Sequence, residues 1–332
     1  MNRYLAAALP ALLLLGPGCR SKAGSGPEWL QSSPPSCQVA FSAEARWILE
    51  HRAFQAMVAK SPLAEQTLDL FLSKARIAPH LETGRITFYV LAVPHLDTKN
   101  PVELSRSFLI RLSGFKNPQA LSRALAESFP QEGSLLVGGA DLPLHVVVDI
   151  NQVHMRALEE PSGPVWIGDL GALGALGGTR TNSPRSAARR AGEWVDGTAP
   201  FQGFVMPERL LAELPQDKLP AEWSAELPRG LEALTWSVTP ALDPKQPHRL
   251  ELAVAGSSDG VSRTVPWLQR LVAISNSVQP PPSQAAELIQ EKDRAGIRCS
   301  LTQEQLNSLM AKLGQPYFQI DRPGPAKPGP KA

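Results

Sequence analysis

Ser113 and Lys116 have the residue types and the spacing of a nucleophile and its base. They bound the segment Ser113-Gly114-Phe115-Lys116, which lies just before a predicted helix. A lysine amine close to a serine can take the hydroxyl proton and so activate the oxygen for attack on an acyl carbon. Because a pattern with two free positions is common by chance, a serine hydrolase is the third of three functional hypotheses for this chain.

The same four residues resemble the S-x-x-K motif of penicillin-binding proteins and serine β-lactamases. The S-D-N and K-T-G elements that accompany the motif in that family are missing from this sequence. H-E-x-x-H and C-x-x-C are missing as well, and no histidine has a second ligand at metal-binding spacing. We therefore expect no catalytic residue, no metal and no cofactor.

Four arginines are candidates for binding anions: Arg180, Arg185, Arg189 and Arg190. No acidic residue interrupts the cluster before Glu193. Guanidinium groups match the geometry of phosphates, including those of lipid headgroups and lipopolysaccharide. The alternative is a solvated linker whose charges have no partner.

Cys37 and Cys299 stand near the two ends of the folded part of the chain. In an exported protein such a pair is compatible with a disulfide, which would stabilise the fold by ~4 kcal/mol because it closes a long loop. Two separate buried thiols are the alternative. The sequence leaves both open.

The N-terminal segment contains the positive charge of Arg3, then an apolar run over Leu5–Leu15, a turn of small residues and Cys19. The run is too short to span a bilayer, so residues 1–18 are predicted to be a signal peptide. The segment resembles the lipobox of bacterial lipoprotein precursors, although Gly16 stands where that family usually has leucine. The resemblance implies that Cys19 becomes the first residue and carries acyl chains that anchor the protein. An ordinary cleaved signal or an uncleaved short anchor is the alternative.

Arg20 follows the cysteine, where an aspartate would imply retention in the inner membrane. The resemblance therefore implies the cell envelope, with the outer membrane favoured. The formal net charge is +2, which provides no field for gathering nucleic acid, so no nucleic-acid partner is expected. A hydrophobic fraction of 43% with 19% charged residues is typical of a globular protein with a packed core.

Composition and periodicity divide the chain into segments. After the signal peptide we predict a flexible tether over 19–36, a first α+β unit over 37–170, a Gly/Arg-rich linker over 171–198, a second α+β unit over 199–322 and a disordered tail over 323–332. The order helix, strand, strand, helix occurs in both units, which indicates two related units of mainly antiparallel sheet covered by helices. This pattern is similar to uncharacterised proteobacterial envelope proteins built from duplicated α+β units.

Several elements are specific enough to test. We predict helices from Ala43, over Gln119–Phe129 after an Asn117 cap, over Ser283–Arg294, and over Gln303–Leu313 after the capping pair Thr302 and Gln305. Alternating apolar residues predict strands, among them Ser134–Gly138, Leu231–Thr239 and Arg249–Ala255.

The absence of these catalytic signatures favours a lipid-anchored, non-enzymatic envelope protein. Such a protein would dock a macromolecular partner, expected to be another envelope protein, or serve as a structural component. The alternative is a carrier of lipid or another apolar ligand in a cavity between sheet and helices. A hydrolase based on Ser113 and Lys116 is the third hypothesis.

Overall fold

The computed structural model describes residues 28–49, 84–91, 107–115, 117–150, 153–160, 163–177, 185–207, 230–241, 243 and 246–312. The architecture is mixed α+β with a 12-stranded antiparallel sheet, which confirms the predicted α+β class. Within the described residues, no helix has both the length and the apolar character needed to cross a bilayer.

The strands of the described chain are β1 Cys37–Glu44, β2 Arg85–Leu91, β3 Phe108–Ser113, β4 Gln131–Val137, β5 Ala140–Ile150, β6 Val153–Glu159, β7 Val165–Gly168, β8 Phe201–Val205, β9 Leu231–Thr239, β10 His248–Gly256, β11 Glu287–Gln290 and β12 Arg294–Leu301. The α-helices are α1 Glu28–Gln31, α2 Ala45–Leu49, α3 Pro118–Ser128, α4 Leu170–Gly174, α5 Arg185–Gly192, α6 Ser258–Asn276 and α7 Gln303–Lys312. A 3₁₀ turn, Ala175–Gly177, follows α4.

The chain divides into two compact units. In the described chain, the C-terminal unit comprises residues 28–41 and 185–312, and its strand order is β11-β12-β10-β9-β8 followed by the first part of β1. The N-terminal unit comprises residues 42–177, and its order is the last part of β1 followed by β2-β3-β7-β6-β5-β4. Residues 37–41 thus belong with the C-terminal half, whereas the sequence placed them in the first unit.

Close backbone approach fixes the centre of the C-terminal unit. Gly203 of β8 faces Trp236 of β9, and a Cβ at this glycine would lie 2.3 Å from the tryptophan Cζ2 and 2.7 Å from the Ala40 carbonyl oxygen. The ring of Trp236 is stacked on Phe41, with 5.8 Å between centroids. Only a residue without a side chain lets β1, β8 and the indole pack at these distances.

Local sequence signals set several helix ends where they were predicted. Asn117 caps α3 by accepting a hydrogen bond from the Ala120 N–H at 3.0 Å. Thr302 and Gln305 form the predicted capping box: the Thr302 N–H donates to Gln305 Oε1 at 2.7 Å, and the Gln305 N–H donates to Thr302 Oγ1 at 3.3 Å. Because these bonds join residues three apart, sequence alone can predict them.

The helix predicted over Ser283–Arg294 is wrong. This segment contains β11, a turn and the first residue of β12, and β11 pairs with β12 from Glu287↔Arg298 to Gln290↔Ala295. Pairing with a neighbouring strand overrides the helical preference of Ala and Glu in this segment, because tertiary contacts outweigh local propensity. The helix predicted from Ala43 begins at Ala45, because β1 continues to Glu44. Strand β6 was not predicted.

Two segments predicted to be flexible contain packed helices. Of the tether, residues 28–36 are described, and α1 buries Trp29 and Leu30 to 4% and 2% exposure. The Trp29 indole N–H donates to Gln202 Oε1 at 2.5 Å and holds this helix to the C-terminal unit. Of the linker, residues 171–177 and 185–198 are described; they include α4, the 3₁₀ turn and α5, whose Ala188 and Ala191 are buried. Small residues pack closely here rather than marking a flexible segment.

Candidate functional site

The hairpin of β4 and β5 ends the sheet of the N-terminal unit. Its two-residue loop is Gly138-Gly139, with φ angles of 60° and 89°. Positive φ at both positions is the requirement of a type I′ turn, which suits the right-handed twist of the flanking strands. Val137 and Ala140 close the loop as a pair, so the register of the hairpin is set by its glycines.

The outer side of β4 presents unpaired backbone groups. In a hairpin with a two-residue loop the closing pair is hydrogen-bonded, and bonded and non-bonded pairs then alternate. Leu136 and Ser134 are therefore non-bonded to β5, and their N–H and C=O groups point outward. Pro143, opposite Ser134, fits this assignment because proline has no N–H to donate. Among the described residues, no backbone hydrogen bond reaches this outer side.

The outer strand is apolar and carries one charge. Leu136 is 68% exposed, the largest fraction among the exposed large hydrophobic residues described. Glu132 is ion-paired with the buried Arg156 at 2.6 Å. Gly133, at φ 79°, interrupts the pairing register, so the extended part of the edge is Ser134–Val137. We call these four residues the open edge.

A short turn lies beside the open edge at Leu136. A Cβ placed on Gly177 would lie 3.6 Å from the Leu136 carbonyl oxygen, so the 3₁₀ turn approaches this group with a residue that has no side chain. Natural proteins protect edges with lysines, prolines, bulges or covering elements. The bulge at Gly133 protects one end of β4 and the 3₁₀ turn lies beside Leu136, but Ser134–Val137 contains no lysine and no proline.

A polar cluster of the N-terminal unit is buried. Ser42 Oγ lies 2.9 Å from Thr87 Oγ1 and accepts a hydrogen bond from Arg85 Nε at 3.2 Å. Burial lowers the pKa of Arg85, and the charge of Glu44 opposes that shift. On the next strand the Arg111 guanidinium lies 5.6 Å from the centroid of the Trp166 ring.

Trp166 is itself fixed, because its indole N–H donates to Glu160 at 2.7 Å. Each group of this cluster lies on a rigid strand and has a protein contact, so the cluster supports the fold.

A second polar network anchors the segment after α5 in the C-terminal unit. Glu251 Oε2 accepts bonds from the Asp196 N–H at 2.5 Å and from Ser237 Oγ at 3.1 Å, while Oε1 lies 3.3 Å from Arg298 Nε. Nearby, burial alone would lower the pKa of Arg294, but its bonds to Glu291 and Glu193 raise it overall. Glu251 thus joins the segment after α5 to β9 and β12, which is the arrangement of a structural network.

One serine motif was not recognised from the sequence. Gly256-Ser257-Ser258-Asp259-Gly260 matches G-x-S-x-G and joins β10 to α6, as a nucleophile elbow would. A Cβ at Gly256 or Gly260 would lie 2.2 or 2.3 Å from the Gly230 carbonyl oxygen, so close packing explains both glycines.

The first serine of this motif caps α6 from an extended conformation, accepting the Gly260 N–H at 3.1 Å. The Ser257 hydroxyl also lies 3.5 Å from the Gly230 carbonyl oxygen, so in the described structure this serine acts as the cap of α6.

The structure places the cysteines apart. Cys37 and Cys299 are both free and buried, which is the second of the two alternatives left by the sequence. They lie on β1 and β12, with three strands between them. Four strand spacings of about 4.8 Å give ~19 Å, far beyond the ~7 Å limit for a disulfide. Burial raises the pKa of Cys299 to about 12, and a bond to Ser275 opposes this.

The structure places three of the four anion-binding candidates on one helix, α5. Arg185 and Arg189 lie on α5, and Arg189 is exposed. Arg190 lies 3.6 Å from Glu232 and 3.3 Å from Asp293, so its charge is used within the fold. Arg180 lies outside the described residues.

The remaining residues singled out from the sequence are Ser113, Lys116 and Cys19, and the structure describes only Ser113. Ser113 is 5% exposed at the end of β3, opposite Arg85. Lys116 and Cys19 lie outside the described residues, as do the signal peptide and the tail. No group of three or more potential metal-ligating side chains occurs in the described part of the chain.

Comparison with protein-family models, with curated proteins and with solved structures found no significant match to this chain.

Proposed function

We propose that this chain is a lipid-anchored, non-enzymatic protein of the cell envelope that docks a protein partner through the open edge. The observation that carries the docking role is the strand Ser134–Val137, with outward backbone groups and the exposed Leu136. An extended segment of another chain can add to such an edge, with main-chain hydrogen bonds giving affinity and side-chain contacts giving specificity.

Low charge along the edge supports this role. The single carboxylate of β4, Glu132, is neutralised by Arg156, so an incoming strand meets no uncompensated charge. Exposed apolar residues in contact with unpaired backbone are costly for a monomer, because they invite unspecific pairing. Their presence is therefore better explained by a partner than by the fold of the unit alone.

The proposed anchor is Cys19, on the strength of the lipobox-like segment that precedes it. Eight residues separate Cys19 from Glu28, the first residue of α1. A chain of that length extends at most ~30 Å. Since α1 is packed on the C-terminal unit, an anchored protein would be held close to its membrane, with the outer membrane favoured.

We further propose that the two units are related by duplication. The C-terminal unit has the order β8, β9, β10, α6, β11, β12, α7, with β10 next to β12. The N-terminal unit has the order β1, α2, β2, β3, α3, then β6, β7, α4, with β3 next to β7, if the β4–β5 hairpin is set aside. The hairpin is thus an addition to a shared pattern, and it is the element that carries the open edge.

Site-specific photo-crosslinking in intact envelopes tests the docking role. A photo-reactive amino acid at Leu136 should give a discrete crosslinked product. The matched control is Leu170, 45% exposed at the start of α4 rather than on β4, which should give none. Leu136→Lys should abolish a product formed from a second photo-reactive position at Ser134. Equal crosslinking from Leu136 and Leu170, or a product that survives the lysine, would refute docking at this edge.

Palmitate labelling tests the anchor separately. The parent chain should incorporate label and a Cys19→Ala variant should not, whereas a Cys37→Ala variant should label as the parent does. Recovery of an unlabelled parent protein from the soluble fraction would contradict the proposed anchor and leave the docking experiment unaffected.

A further inference from the structure

We propose that the chain that occupies the open edge is a second copy of this protein, paired antiparallel to the first with Leu135 on the two-fold axis. The inference rests on the proposed docking function and names its partner. It follows from the direction of the backbone groups, from the side chains of the edge and from its charge.

The backbone groups select one register. A new antiparallel ladder must pair residues whose backbone N–H and C=O groups point away from β5. In the open edge these residues are Ser134 and Leu136. Pairing Ser134 with Leu136 of the second copy satisfies both residues in each chain and forms four N–H···O bonds. Leu135 then faces Leu135 of the second copy.

The two neighbouring symmetric registers are poorer. One places Leu136 opposite Glu132, beyond the bulge at Gly133, where the ladder is already interrupted. The other places Ser134 opposite Gly138, which lies in the turn at φ 60° and is not extended. Each alternative register therefore keeps only one hydrogen-bonded residue pair across the two-fold axis, whereas the selected register has two.

Side chains match in the selected register. The two Leu135 side chains form a non-hydrogen-bonded cross-strand pair, whose Cβ atoms approach within about 5.5 Å. The two Leu136 side chains lie on the opposite face as diagonal neighbours, about 7–8 Å apart, within reach of long side chains. The most exposed leucine of each copy thereby covers that of the other, which a strand of arbitrary sequence would not do.

Charge does not oppose the pairing. In this register the two Glu132 residues are offset by six positions along the strands, or about 20 Å. This distance exceeds the ~8 Å Debye length at physiological salt, and each carboxylate already has Arg156 as its partner. A two-fold axis also closes the assembly at two copies, because each chain contributes the same edge.

A ladder this short buries less than the ~1,000 Å² typical of stable complexes, so the pairing is expected to be weak in dilute solution. Anchoring of both copies to one membrane would raise their effective concentration and favour pairing.

Cysteine crosslinking of the full chain in proteoliposomes tests the register. In non-bonded antiparallel pairs the Cα atoms are about 4.5 Å apart, within the range for disulfides. Leu135→Cys should therefore form a disulfide dimer under mild oxidation. Leu136→Cys should not dimerise alone, because its Cα atoms would be about 8 Å apart, but should crosslink to Ser134→Cys when the two variants are mixed. Circular dichroism identifies any variant that fails to fold.

The expected result is at least a tenfold excess of dimer for Leu135→Cys over Leu136→Cys and over the parent, which reports any background from Cys19. Equal yields, or no mixed dimer in folded variants, would overturn the second-copy proposal. If photo-crosslinking at Leu136 then still gives a product with another protein, docking stands and the partner is a different chain. If neither experiment gives a product, both proposals fail.

Discussion

The buried thiol of Cys299 should make the C-terminal unit lose stability at alkaline pH. Burial raises the pKa of Cys299 from 9.0 to about 12, so the native protein keeps this proton to higher pH than the unfolded chain does. An acid whose pKa is raised on folding has no pH-dependent effect below its unfolded pKa. Its contribution to the free energy of unfolding then falls as pH rises from about 9 towards 12, by at most ~1.4 kcal/mol per unit.

The magnitude at an accessible pH follows from the two pKa values. Integrating the linkage relation from pH 8 to pH 10 gives a loss of about 1.4 kcal/mol from this one thiol. Urea unfolding followed by tryptophan fluorescence should show that loss in the parent chain, beyond the pH dependence of a Cys299→Ala variant. The matched control is Cys37→Ala, which removes the other buried thiol and should retain the Cys299 contribution.

Thiol labelling gives an independent measure. At pH 8 a thiol with a pKa near 12 is about 10⁻⁴ ionised, roughly a thousandfold less than a thiol with a pKa of 9.0, and the thiolate is the reactive form. Labelling of Cys299 should therefore be suppressed in the native protein and restored in urea. Rapid labelling of the folded chain, or identical pH dependence in the parent and Cys299→Ala, would show that this thiol is not buried as the fold requires.

The remaining predictions concern packing, caps and the polar network. Gly203→Ala should destabilise the C-terminal unit by about 1–3 kcal/mol, because its Cβ would lie 2.3 Å from a tryptophan ring carbon. Gly174→Ala, with nothing within 4 Å of its Cβ, should stabilise α4 by up to ~1 kcal/mol. Thermal unfolding compares the two variants, and similar midpoints would contradict the packing argument. Asn117→Ala should cost about 1 kcal/mol through the lost cap of α3, visible as a lower midpoint in urea, and an unchanged midpoint would show that the cap is dispensable. Glu251→Ala should cost about 1–3 kcal/mol, because the Ser237 hydroxyl loses its acceptor and the Asp196 N–H keeps only its longer bond to Ser237 Oγ at 3.2 Å. Hydrogen exchange at Asp196 should accelerate, and unaltered exchange would argue against the network.

Agreement between sequence and structure is best where interactions are local. The reciprocal bonds of Thr302 and Gln305 and the Asn117 cap join residues three positions apart, and the sequence predicted both helix starts. Strand β9, Leu231–Thr239, coincides with its predicted range because alternation of apolar residues along one strand is also local. The wrong helix over Ser283–Arg294 became a strand through pairing with a neighbour, which no local pattern records.

The candidate site shows the same division. Gly138-Gly139 between two strand-like runs is a hairpin signal that could have been read from the sequence. That β4 is the last strand of the sheet could not be read from the sequence. A strand of the same composition could equally lie in the middle of a sheet, where its leucines would be buried. Likewise, the small residues Ala188 and Ala191 of α5 are typical of a linker, and their burial depends on packing of the helix within the C-terminal unit.

The sequence by itself determined the α+β class, most strand positions, the caps of α3 and α7 and the N-terminal segment that resembles a lipoprotein signal, because these depend on composition and on spacing within a few residues. The tertiary structure alone decided that β4 ends the sheet, that three strands separate Cys37 from Cys299, and that Arg190 forms ion pairs within the fold. These properties depend on contacts between residues distant in sequence, whose pairing is fixed only when the strands assemble.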